Sequence, residues 1–177
     1  MGAMTDDDVA ALAAEIALTY PGATGGGGLH ALNRDRTLCG QGGDALEKED
    51  QPFSPLAPNA CGTCAATFET FAAVVPGLEL AGSWKDLRPR SGYHNQLKQQ
   101  FAMELEAEVA PDHLLAATAL FIVANAEDDV VVVRADGGVA VVRLTWSREI
   151  EAAPKPFVAH IEPDATVAAA ADLALGA

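Results

Sequence analysis

Basic side chains are scarce in this chain: 11 Lys and Arg stand against 25 Asp and Glu, giving a formal net charge of −14 over 177 residues. Nucleic-acid affinity comes from cations that displace the counterions of a phosphate backbone, so this balance argues against duplex DNA as a partner. Long apolar runs are missing too. No stretch approaches the roughly 18 uninterrupted apolar residues of a membrane span, and Asp6, Asp7 and Asp8 sit where a secretion signal would carry Lys or Arg. Met1-Gly2-Ala3 reads as a remnant ahead of a start at Met4. The glycines Gly25 to Gly28 are not followed by Gly-Lys-Ser/Thr, which excludes a phosphate loop and reads as plain linker. Internal repeats are absent. No serine or cysteine is marked as a nucleophile beside His113, which reads as a loop histidine in an ordinary hydrogen bond.

What is present is enough apolar character, 50% of residues, to fill a core. The expectation is a folded cytoplasmic protein with reduced thiols. Its acidity either only maintains solubility or forms a face for a basic protein partner.

All three cysteines fall at metal-site spacing with one histidine: His30, Cys39 in Thr-Leu-Cys-Gly, then Cys61-Gly-Thr-Cys64. Thiolate and imidazole are borderline-soft donors that suit tetrahedral Zn²⁺, and a Cys-x2-Cys turn places both sulfurs on one ion. A short hairpin over residues 29 to 40, turning near Asn33 to Arg36, would bring His30 and Cys39 together. A helix beginning near Cys64 would aim N–H groups at the thiolates. Four protein ligands leave no open position, so the expected ion is a structural Zn²⁺.

This arrangement resembles small uncharacterised zinc modules of the actinobacterial type, in which a histidine precedes Thr-Leu-Cys-Gly and a later Cys-x-x-Cys opens a helix. The matching residues are His30, Thr37, Leu38, Cys39, Gly40, Cys61 and Cys64. The resemblance implies a zinc-binding element and carries no chemistry with it. Zinc-dependent nucleobase deaminases also pair a histidine with Cys-x-x-Cys, but they need His-x-Glu and Pro-Cys-x-x-Cys. Here Leu32 and Ala60 occupy those places, and leucine cannot carry a proton.

Along the chain, Val9, Leu12, Ile16 and Tyr20 recur at helical spacing behind a Thr5 cap, with Pro21-Gly22 expected to end the helix. Residues 41 to 59, with Pro52, Pro55 and Pro58, read as an irregular loop. Phe68, Phe71 and Val75 mark a second helix, stopped by Pro76-Gly77. Residues 81 to 92 read as the boundary between an N-terminal part, 4–80, and a second part, 81–177. A third helix is expected over 94–109, with Leu97, Phe101 and Leu105 inward and Glu104, Glu106 and Glu108 largely away from that stripe. A three-stranded antiparallel meander over 115–146 follows, as strands 115–124, 129–134 and 139–146. Asp136-Gly137-Gly138 makes its second turn, and Val130 to Val133 form a central strand. Residues 164 to 175 read as a last, alanine-rich helix.

Asp128-Asp129 with four valines, then Arg143-Leu144-Thr145-Trp146 and Glu151 with Pro154, resembles uncharacterised bacterial domains that end in a Leu-Thr-Trp strand. Those domains commonly place a histidine where this chain has Arg143. The resemblance implies a small α+β unit. Asp128, Asp129, Glu149 and Glu151 read as solvated turn charges, and Trp84 and Trp146 as core anchors. The whole is expected to be α+β, with a zinc-stapled hairpin and knuckle beside a small antiparallel sheet. A non-enzymatic protein-binding or regulatory role is expected, of the acidic immunity or inhibitor type. The alternatives are a zinc-containing nucleic-acid-associated regulator using Arg34, Arg36, Arg88 and Arg90, and a deaminase-like hydrolase.

Overall fold

Thr5 begins the first helix as a reciprocal cap: its hydroxyl accepts the Asp8 N–H at 3.2 Å, and the Asp8 carboxylate accepts the Thr5 N–H at 3.0 Å. The Thr5 amide, then its hydroxyl, holds the Asp8 carboxyl below its ordinary value. Helix α1 (Asp6–Ala17) buries Ala13, Ile16 and Ala17 and packs on α2 (Gly62–Val74). The structure, a computed structural model, describes residues 5–33, 36–40, 46–88, 92–116, 118–150, 156–161 and 166–167. Met1 to Ala3, Arg34, Arg90, Glu151 and Pro154 lie outside those residues. The chain is α+β and divides into two compact units, Met1–Pro76 and Gly77–Ala177, against an expected division after residue 80.

In the first unit α1 stops at Ala17, earlier than expected, and Pro21 opens a strand, a place where its missing N–H is tolerated. Strands β1 (Pro21–Gly25) and β2 (Gly28–Asn33) pair antiparallel through Gly25 and Gly28. Gly26 and Gly27 have φ of 58° and 86°, the left-handed pair that a two-residue hairpin turn demands. The glycine run is therefore a tight turn, and the linker reading is corrected. Strand β3 (Arg36–Thr37) pairs with β2 as the hairpin over 29–40 requires, although residues 34 and 35 of its turn lie outside the described ones.

The loop expected over 41–59 contains strand β4 (Glu47–Pro52), which completes a sheet in the order β3-β2-β1-β4. All six β4 residues are exposed, so the segment shows no apolar alternation; it is a charged edge strand. Phe53, just after it, is fully buried, and its amide bonds the Tyr20 carbonyl at 3.0 Å. Its ring stacks on Phe68 at 5.5 Å, with Tyr20 and Phe71 edge-on to Phe68 at 5.0 and 6.2 Å. α2 ends in a 3-10 turn, Val75–Gly77.

The second unit holds β5 (Glu79–Leu80), β6 (Lys85–Asp86), α3 (Gly92–Glu108), β7 (Leu120–Ala126), β8 (Asp129–Arg134), β9 (Val139–Arg143), β10 (Phe157–Ile161) and β11 (Thr166–Val167). An antiparallel sheet runs β10-β9-β8-β7-β6, and β11 lies parallel to β5. β8 is the middle strand, and Val130 to Val133 expose nothing on either face. The meander is shorter than expected: β7 begins only at Leu120, and β9 ends at Arg143, leaving Leu144 to Trp146 outside the sheet. The expected boundary at 81–92 instead carries the edge strand β6, with Trp84 and Leu87 buried on either side. At the place of the last expected helix, Thr166–Val167 is a strand, and residues 168 to 175 lie outside the described ones.

The core of this unit is Leu87, Phe101, Leu105, Leu115 and Ile122 against Val130, Val132, Val142 and Leu144. Glu104 and Glu108 do not face away: they are 4% and 0% exposed. Residues 101, 104, 105 and 108 share one helical face, so the two carboxylates lie on the apolar stripe. Among the described residues, no helix is long and apolar enough to cross a membrane.

Candidate metal centre

Four segments deliver the four predicted ligands. The β1–β2 hairpin carries His30 to mid-strand. The turn after β3 presents Cys39, closed by Gly40 N–H to the Thr37 carbonyl at 3.0 Å, with Gly40 at φ 79°. Residues 59–61 dock alongside β2: Leu29 N–H bonds the Asn59 carbonyl and Cys61 N–H bonds the Leu29 carbonyl, both at 2.8 Å. That docking sets Cys61 beside His30 and makes it the N-cap of α2, which then brings Cys64 one turn inward.

The ligand atoms of His30, Cys39, Cys61 and Cys64 all lie within 4.8 Å of one another, so the group can hold a metal ion. A tetrahedral ion with ordinary bond lengths would need S···S edges of about 3.8 Å and N···S edges of about 3.6 Å. The Cys39 sulfur already stands 3.3 Å from His30 Nδ1. His30 and Cys64 are buried, Cys39 and Cys61 half-buried, and all three thiols are free of disulfides.

The surroundings orient these donors. Nε2 of His30 lies 3.1 Å from the Gly25 carbonyl, which can only accept; the proton therefore sits on Nε2 and the Nδ1 lone pair faces the sulfurs. Burial, opposed in part by amides of Ala31 and Cys39 and reinforced by the Cys39 and Cys61 sulfurs, pushes the Cys64 thiol up to about 12. The Cys64 thiol therefore resists ionising alone, and a divalent cation placed among the sulfurs would reverse that balance. The partners Gly25, Ala31 and the Cys39 amide are backbone groups, which no residue-type pattern reveals.

Among the described residues, the other candidates enter separate contacts. Asp129 is buried and paired with Arg143 across β8 and β9 at 2.8 Å, so it is no solvated turn charge. Asp128 accepts the Trp146 indole N–H at 2.8 Å, and Glu149 is exposed. His113 Nδ1 accepts the Leu115 amide at 3.2 Å. Arg88, offered as a nucleic-acid contact, spends its guanidinium on Asp86 and the Leu78 carbonyl. Leu32, where a deaminase would need glutamate, is an apolar residue 2% exposed. Trp84 is a core anchor, whereas Trp146 is 42% exposed. No protein-family description, curated protein or solved structure matches this chain.

Proposed function

We propose that the N-terminal unit is a structural zinc module, and that the chain is a non-enzymatic, acidic protein-binding or regulatory protein whose ion holds the stretch between Gly40 and Ala60 in place. The supporting observation is the convergence of one imidazole and three sulfurs within 4.8 Å. That donor set suits Zn²⁺ over harder cations, which prefer oxygen. Four side chains fill a tetrahedron, so a bound water has no place and the ion serves architecture. A net charge of −14 supports a basic protein as the partner.

Metal analysis of the purified chain should return about one zinc per molecule, and Cys39→Ser or His30→Ala should lower that content and the melting temperature together. The cobalt-substituted protein should show tetrahedral thiolate absorption that azide leaves unchanged. A spectrum that azide alters would reveal an exchangeable ligand position and refute the structural role. For the binding role, cross-linked partners that are uniformly neutral or acidic would count against the reading.

A further inference from the structure

Among the described residues three non-glycine residues have positive φ, and all lie at one end of the five-stranded sheet. Glu127 (51°) is in the β7–β8 turn; Trp146 (57°) and Arg148 (57°) follow β9. L side chains avoid this conformation, and it persists only where the surroundings over-determine it. Here α3 supplies the determination. Fully buried Glu108 accepts the Thr145 amide at 2.9 and 3.0 Å and its hydroxyl at 3.0 Å, and Glu104 accepts the Arg148 amide at 3.0 Å. From the other side, the Asp128 carbonyl accepts the Leu144 amide at 2.9 Å.

Between those anchors stands Trp146. Its ring lies 5.7 Å from Phe101 and its Nε1–H donates to Asp128, yet 42% of it remains exposed. An aromatic held in one pose while still wet has little entropy left to lose on contact, the condition under which tryptophan becomes an anchor for a partner. Asp128 stands at the indole edge, its exposed turn neighbour Glu127 lies with it near Arg143, and Glu149, also exposed, follows Trp146 by three residues. Arg143 is held by Asp129, and the Arg148 guanidinium extends to within 4.0 Å of Glu104.

We infer that this platform binds an arginine side chain of a basic protein partner, its guanidinium stacked on the Trp146 indole and met at the edge by the Asp128 carboxylate, with the exposed Glu127 and Glu149 adding negative charge nearby in the chain. Arginine fits better than lysine because its planar cation both stacks on an indole and forks onto a carboxylate. The inference rests on the basic-partner reading above and gives it a location.

The test titrates the full, metal-loaded chain with the peptide acetyl-Gly-Arg-Gly-Arg-Gly-amide and with its uncharged citrulline counterpart, following the two indole N–H resonances. The arginine peptide should shift the Trp146 signal, leave that of buried Trp84 in place, and bind about tenfold more tightly than the citrulline peptide. Trp146→Ala should weaken it about tenfold, and Trp146→Phe, which keeps a ring against Phe101, by less. Asp128→Asn with Glu149→Gln should flatten the salt dependence. Arginine-peptide binding that Trp146→Phe and Trp146→Ala both leave unchanged overturns this location while the basic-partner reading stands. Equal binding of the citrulline peptide, or no shift of the Trp146 signal, overturns the inference outright.

Discussion

Replacing Glu108 by alanine removes the acceptor of two donors at once, the Thr145 amide and the Thr145 hydroxyl. An orphaned donor in a closed site costs about 1–3 kcal/mol. Thr145 is itself only half-buried, so water reaches part of the vacancy and the lower end applies, about 2–3 kcal/mol for the pair. Glu108 exposes no surface, and losing its aliphatic stem adds about 1 kcal/mol. The expected total is about 3–4 kcal/mol, while Glu108→Gln, which keeps the shape and one oxygen, should cost about 1 kcal/mol. Both tryptophans belong to the second unit, so tryptophan fluorescence during urea unfolding reports that unit by itself. Combining Glu108→Gln with Thr145→Val should show a coupling of about 0.5–1 kcal/mol. A loss below about 1 kcal/mol for Glu108→Ala, or a coupling indistinguishable from zero, would refute the idea that this carboxylate fastens the segment after β9.

Gly27→Ala should destabilise the first unit by about 1–2 kcal/mol through φ 86° alone, because a Cβ there meets open space, and Gly27→Asn should cost less; circular dichroism melts of the two variants decide, and equal melting would contradict the strain argument. Phe68→Ala opens a hole among Tyr20, Phe53 and Phe71 and should cost about 3–5 kcal/mol in denaturant unfolding, with a value near 1 kcal/mol counting against the aromatic core. Asp86 is partly desolvated, but the Arg88 hydrogen bonds and charge outweigh that and hold its carboxyl below the ordinary value of 3.8. Its contribution is therefore present above that value and lost as pH falls through the lower folded one. With Asp86 40% exposed the effect stays below about 1 kcal/mol, and the stability gap between the native chain and Asp86→Asn should close in strong acid. A gap that widens on acidification would reverse the assigned sign.

What could be read from the chain followed from side-chain chemistry with a period. Thr5 ahead of an apolar stripe announced α1, the Phe68, Phe71 and Val75 spacing announced α2, and four consecutive valines announced a strand covered on both faces. The convergence of His30, Cys39, Cys61 and Cys64 was legible because cysteine and histidine at those intervals have few other uses. β4 was hidden because an edge strand with both faces wet carries no alternation to detect. The Gly25 to Gly28 turn was hidden for a different reason: glycine serves loose linkers and left-handed turns alike, and only the pairing of β1 with β2 separates the two. Glu104 and Glu108 stand at the right helical spacing, but a charged side chain reads as solvent-facing unless its partner is in view. Their acceptors' partners, amides of Thr145 and Arg148, lie about forty residues away, beyond any local pattern.

The valine run of β8 has a consequence for the chain before it folds. Four consecutive β-branched residues without proline or glycine form the kind of segment that stacks between copies when left bare. Asp128 and Asp129 stand directly ahead of it and Arg134 directly behind, so the ionic residues that later tie the sheet's margins first act as guards against self-association. Neutralising all three would expose that danger during synthesis even where the finished sheet tolerated the change.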